Sequence, residues 1–224
     1  MLNMEQIATW FLIFIFYSFA GWLMEVCVGI LRNRKVINRG FLIGPICPIY
    51  GTGALLLSFI LREPENPFVI FCVAVVGSAV LEYVVSYLME KLFRVRWWDY
   101  TNRVFNINGR ICVESVVSFG VIGVLILNVI NPWLLSILGS LPSNFLIAFA
   151  VIIFCWLICD IALSLWLILG VRVTVGTMQP DATEEITQNI QEVLMNKGKL
   201  NRRLAKAFPN QTPSKKKPRK KKKS

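Results

Sequence analysis

Histidine is absent from this chain of 224 residues. Its absence removes the commonest general base near neutral pH and the imidazole ligand of most catalytic zinc sites. Charge is also scarce: 17% of residues are Asp, Glu, Lys or Arg, whereas a soluble domain usually carries about a quarter. The charges that exist sit at the ends of apolar blocks and in the C-terminal tail, because unpaired charge in hydrocarbon costs several kcal/mol. No CxxC pair occurs among the six cysteines, Cys27, Cys47, Cys72, Cys112, Cys155 and Cys159. All lie in or beside apolar segments, so they read as small polarizable packing residues rather than a disulfide framework or metal site. No metal, cofactor or nucleophile motif is expected, and the chain does not read as an enzyme.

What is present is hydrophobic length. Apolar residues make up 55% of the sequence, in blocks that approach or exceed the roughly 20 residues a spanning helix needs. The expected fold is an all-α polytopic membrane bundle of about five spans, at 7–31, 41–61, 68–88, 111–130 and 145–169. The first block is too long for a signal-peptide core and is preceded by no basic residue, so it reads as an uncleaved helix. Residues 131–143, broken by Pro132 and Pro142, read as a turn carrying an interfacial Trp133. A membrane domain over 1–170 is then followed by a cytoplasmic segment, 171–208, with a short amphipathic helix. A disordered tail occupies 209–224.

The net charge of +11 describes that tail more than any face: 8 of the 24 basic residues lie in 215–223, opened by Lys215 and closed by Lys223. Such a run is attracted to anionic lipid headgroups by about 1 kcal/mol per basic residue, and no nucleic-acid partner is expected. The first and third connections are also basic, through Arg32, Arg34, Lys35 and Arg39, and through Lys91, Arg94, Arg96, Arg103 and Arg110. With five spans this alternation puts the N-terminus outside and the tail in the cytoplasm.

Two stretches share a plan. In one, Glu25 precedes Ile37-Asn38-Arg39-Gly40 and then Cys47; in the other, Glu82 precedes Ile107-Asn108-Gly109-Arg110 and then Cys112. The spacing suggests a parallel internal repeat, with a weaker third echo at Cys155-Trp156-Leu157-Ile158-Cys159-Asp160. Four acids stand in apolar surroundings: Glu25, Glu82, Glu114 and Asp160. An intramembrane carboxylate is a candidate for an ion or substrate path because few structural needs demand it. Two blander readings stand beside that one: Glu114 capping a helix start, and Glu25 or Glu82 paired with Arg39 or Arg110. If the four acids cluster, they suit proton or cation handling.

The segment from Gly40 to Gly53 is rich in Gly40, Gly44, Gly51 and Gly53 and interrupted by Pro45 and Pro48. It reads either as a broken helix at a substrate path or as a tightly packed kinked one. The third loop places Arg96, Trp97, Trp98, Asp99 and Tyr100 at the interface. With Arg39 and Arg110 they form an aromatic and basic belt, or a headgroup site.

The run Tyr17-Ser18-Phe19-Ala20-Gly21-Trp22-Leu23-Met24-Glu25, followed by Asn38-Arg39-Gly40-Phe41-Leu42, Gly44-Pro45 and Cys47-Pro48-Ile49-Tyr50-Gly51, resembles the type IV ABC-transporter family of CmpB-like permeases. Leu81-Glu82-Tyr83, Trp97-Trp98-Asp99-Tyr100 and Phe105-Asn106-Ile107-Asn108-Gly109-Arg110-Ile111-Cys112 resemble its second half. The resemblance implies a permease of the bacterial plasma membrane, with a separate ATPase subunit because this chain has no GxxxxGK[ST] phosphate loop. Homo-oligomerisation would supply the helices that so short a chain lacks for a transport path. Two other classes stay open: a membrane scaffold or regulator that uses the tail, and a lipid-modifying enzyme using Asp99 and nearby acids.

Overall fold

The computed structural model describes residues 3–33, 42–61, 66–93 and 98–176. Arg39, Gly40, Arg96, Trp97, the expected amphipathic helix and the lysine tail lie outside them. The chain is a bundle of apolar helices. Four are long and apolar enough to cross a membrane: Met4–Leu31, Pro67–Leu92, Val113–Gly139 and Ser143–Trp166. The protein is a multi-pass membrane protein, and its outward residues, such as Phe68, Val76 and Trp166, form the large apolar surface that lipid requires.

Helix α1, Met4–Asn33, starts from a reciprocal cap. The Asn3 carboxamide accepts the Gln6 N–H at 2.8 Å, and the Gln6 side chain accepts the Asn3 N–H at 3.1 Å. The helix is central: Ile13 and Tyr17 pack with Ala54, Ile126 and Leu134, while Ala8 and Leu12 pack with Leu146 and Ala150. Helix α2 is Pro48–Ile60 and α3 is Pro67–Phe93. A two-stranded hairpin, β1 (Asn106–Ile107) against β2 (Ile111–Cys112), leads into α4, Val113–Leu125. A π-helical turn, Ile126–Ile130, joins α4 to α5, Asn131–Gly139; α6 is Ser143–Gly176.

Two expectations need correction. The second expected span, 41–61, is not one helix. Residues 42–47 are non-helical and only 13 residues from Pro48 onward coil, because Pro45 and Pro48 supply no N–H and Pro48 suits only a first helical turn. The expected turn over 131–143 is mostly helix. Pro132 cannot donate to the carbonyl four residues back, and its ring would crowd that carbonyl in a regular α-turn. The wider π-turn before it, in which the Asn131 N–H reaches back to the Ile126 carbonyl, relieves the clash. The chain therefore stays helical to Gly139.

Candidate functional site

Glu25 and Glu82 come together, each held by the helix that follows its own. Cys47 caps α2 and Cys112 caps α4, both with extended backbone. Ile46 and Cys47 are buried, as are Ile111 and Cys112. The third residue of each new helix then turns to the glutamate of the preceding helix. The Tyr50 hydroxyl donates to Glu25 Oε1 at 2.6 Å. The Ser115 hydroxyl lies 3.2 and 3.0 Å from the two Glu82 oxygens. The Ile-Cys pairs that align in sequence thus precede the same local arrangement twice, a third helical residue whose hydroxyl bonds the glutamate of the preceding helix.

The two halves meet. Tyr50 packs edge-on against Phe119 of α4, ring centroids 5.6 Å apart, and its ring lies on Gly21 of α1, where a Cβ would come within 2.2 Å of Tyr50 Cγ. Only glycine allows that approach. Glu82 is 6% exposed and feels the Glu25 charge. Tyr100, from the loop before the hairpin, hydrogen-bonds Glu82 and Ser115. Burial, and then the Glu82 carboxylate beside it, push the Tyr100 phenol above its ordinary range. Among the described residues Glu82 is served by two hydroxyls and by no basic side chain.

The other two acids have separate tasks. Glu114 occupies the first turn of α4, largely exposed, and pairs with Arg103 at 3.0 Å, which is the helix-start role. Asp160 of α6 is buried and accepts the Gly44 N–H at 3.1 and 3.0 Å. One turn on, the Ser164 hydroxyl accepts the Ile43 N–H at 3.0 Å. Together with the Ser18 carbonyl, which accepts the Cys47 N–H at 2.9 Å, these groups satisfy the backbone of the non-helical segment. Its cores, Leu42 and Ile46, pack on Leu157. The helix is broken, one of the two readings that the Gly/Pro pattern left open, and protein groups replace the missing helical bonds. Gly51 packs against Ser18, and Gly53 lies near Leu81.

Of the described residues expected at the interface, Arg110 is buried, Trp98 and Tyr100 are half-buried and Asp99 is exposed. Arg110 is 8% exposed and bonds Glu90 at 2.7 Å; the half-buried Trp98 donates from its indole to the Arg110 carbonyl at 3.0 Å. A buried guanidinium needs a carboxylate partner, and Glu90 supplies it. Asp99 is exposed and receives the Thr101 N–H and hydroxyl. None of the six cysteines, all among the described residues, forms a disulfide.

Sequence reasoning did not single out Tyr50, Ser115, Glu90 or the buried polar chain Tyr17–Asn131–Ser58. In that chain Tyr17 donates to Asn131 at 2.6 Å, and Asn131 donates to Ser58 at 2.8 Å. Aligning the Ile-Cys pairs would have found Tyr50 and Ser115.

The fold and site define a multi-pass membrane bundle in which the buried Glu82 lies within electrostatic reach of the half-buried Glu25. The chain belongs to the family described as "Putative ABC-transporter type IV", whose model matches residues 12–165. No curated protein and no solved structure matches it.

Proposed function

We propose that the protein is a membrane-embedded transport subunit whose Glu25–Glu82 pair binds and passes a small cation, the proton foremost. The observation that carries this reading is the state of Glu82: buried at membrane depth beside a second carboxylate, and held by Ser115 and Tyr100 hydroxyls with no basic partner among the described residues. A carboxylate so placed suits binding of a proton or small cation, because an intramembrane acid is costly and few structural needs demand one. Hydroxyls suit both states, since each can donate to a carboxylate or accept from a carboxylic acid. The non-helical stretch 42–47 leads directly into the helix that presents Tyr50, as broken helices do at transporter sites.

In this reading the chain sits in the bacterial plasma membrane with its tail in the cytoplasm. It works with a separate ATPase subunit, and a second copy supplies further helices. The chain itself carries out no covalent chemistry.

Reconstitution into liposomes holding a pH-sensitive dye tests the proposal. Under an imposed potential, wild-type protein should move protons or a monovalent cation, and Glu25→Gln with Glu82→Gln should abolish the movement while the protein stays folded. Undiminished flux in the doubly substituted protein would sink the proposal.

A further inference from the structure

The contacts of the Arg110 side chain lie along the helix that carries Glu82. Glu82, Ser86 and Glu90 recur at four-residue intervals and so line one face of α3. The Arg110 guanidinium lies on that face: Nη2 is 2.7 Å from Glu90, Nη1 donates to Ser86 at 3.2 Å, and its carbon stands 5.6 and 5.5 Å from the Tyr83 and Tyr87 ring centroids. Arg110 belongs to the reversal between β1 and β2, in which Asn108 and Gly109 both take left-handed backbone. The adjacent Gly109 carbonyl accepts the Tyr100 N–H at 2.8 Å, and the Arg110 carbonyl accepts the Trp98 indole. Tyr100 in turn reaches Glu82.

A chain of bonds therefore runs from the guanidinium through the hairpin backbone to the phenol that hydrogen-bonds Glu82. A buried ion pair is a poor way to gain stability, since apolar packing of the same volume does as well or better, and its best-attested use is to fix register or to switch. We propose that Arg110 is a positioning residue that latches the 98–112 loop as a lid over Glu82. Release of the Arg110–Glu90 bond lifts Tyr100 and admits water to the carboxylate from the loop end of the bundle. The proposal rests on reading Glu82 as the functional carboxylate and supplies the gate that such a site needs.

The test is labelling of the full-length protein in nanodiscs with a water-soluble carbodiimide and an amine nucleophile, scored by peptide mass spectrometry at Glu82 and Asp160. The expected result is slow modification of Glu82 in the wild type and a rate about tenfold higher in Glu90→Gln and in Arg110→Lys, the factor that one charge-assisted bond confers on a local opening. Asp160, clamped by the segment before α2, should stay protected. Unchanged Glu82 labelling in both variants overturns the lid, and so does a matched rise at Asp160, which would report general loosening. Because labelling is read without any flux measurement, failure of the lid and failure of the carboxylate reading are separate results.

Discussion

Replacing Gly21 by Ala inserts one carbon where α1 meets the Tyr50 side chain of α2. That Cβ would lie 2.2, 2.4 and 2.5 Å from Tyr50 Cγ, Cδ2 and Cβ, against an optimal carbon–carbon separation of about 3.5–4.0 Å. The deficit exceeds roughly 1 Å for all three atoms. Rotating the ring moves Cγ and Cδ2 but leaves Tyr50 Cβ in place, so the two backbones must part. Overpacking of this kind costs about 1–3 kcal/mol. Parting the helices also stretches the 2.6 Å bond from Tyr50 to Glu25, and a hydrogen bond to a charged group contributes about 1.5–3 kcal/mol. The expected loss is on the order of 3–5 kcal/mol in a reversible unfolding assay in mixed micelles. Gly77→Ala is the matched control: it lies in α3 with nothing within 4 Å of its added carbon, so it should be neutral or slightly stabilising through helix propensity. Equal stabilities of the two variants would refute the packing argument.

Three further outcomes are expected. Asp160→Ala strands the Gly44 N–H and should cost about 2–4 kcal/mol, with Ser164→Ala near 1–2 kcal/mol; amide exchange should quicken at Gly44 and Ile43, and unaltered protection there would contradict the clamp. Tyr17→Phe leaves the Asn131 carbonyl without its donor and should cost about 1–3 kcal/mol. Its effect should be non-additive with Ser58→Ala in a double-mutant cycle, because Asn131 joins the two; strict additivity would break that link. The Tyr100 phenol is raised by burial and by Glu82, so its folded value lies above its unfolded one. The stability it gives is present below the ordinary phenol range and is lost as pH rises through and above it. Alkaline denaturation curves should show this loss in the wild type and a weaker one in Tyr100→Phe, and identical curves would count against it.

Much of the bundle is legible in the sequence because hydrocarbon imposes long apolar blocks, and an irregularity before α2 is legible because Pro45 and Pro48 cannot donate, though not whether the helix bends or breaks there. The helix over 131–139 was not, since Pro132 signals a stop and only the preceding π-turn makes room for it. The partners of Asn131 lie 114 and 73 residues away, beyond any local pattern. The hairpin had a local signal, Asn108-Gly109 between Ile107 and Ile111, which is easily overlooked in a loop that reads as interfacial. Glu25 and Glu82 stand out as acids in apolar runs, but sequence spacing alone says nothing of which acids face each other. Glu114 and Asp160 carry the same signal, yet the geometry gives one to Arg103 and the other to the Gly44 backbone.

The central claim is that Glu25 and Glu82 act as one centre. Cation or proton flux through liposomes should therefore be compared for wild type, Glu25→Gln, Glu82→Gln and the doubly substituted protein, each checked for folding. Residues that act as a unit are non-additive, so either single change should remove nearly as much flux as both together. Independent losses that multiply, or a single variant with wild-type flux, would show that the two carboxylates do not form one site.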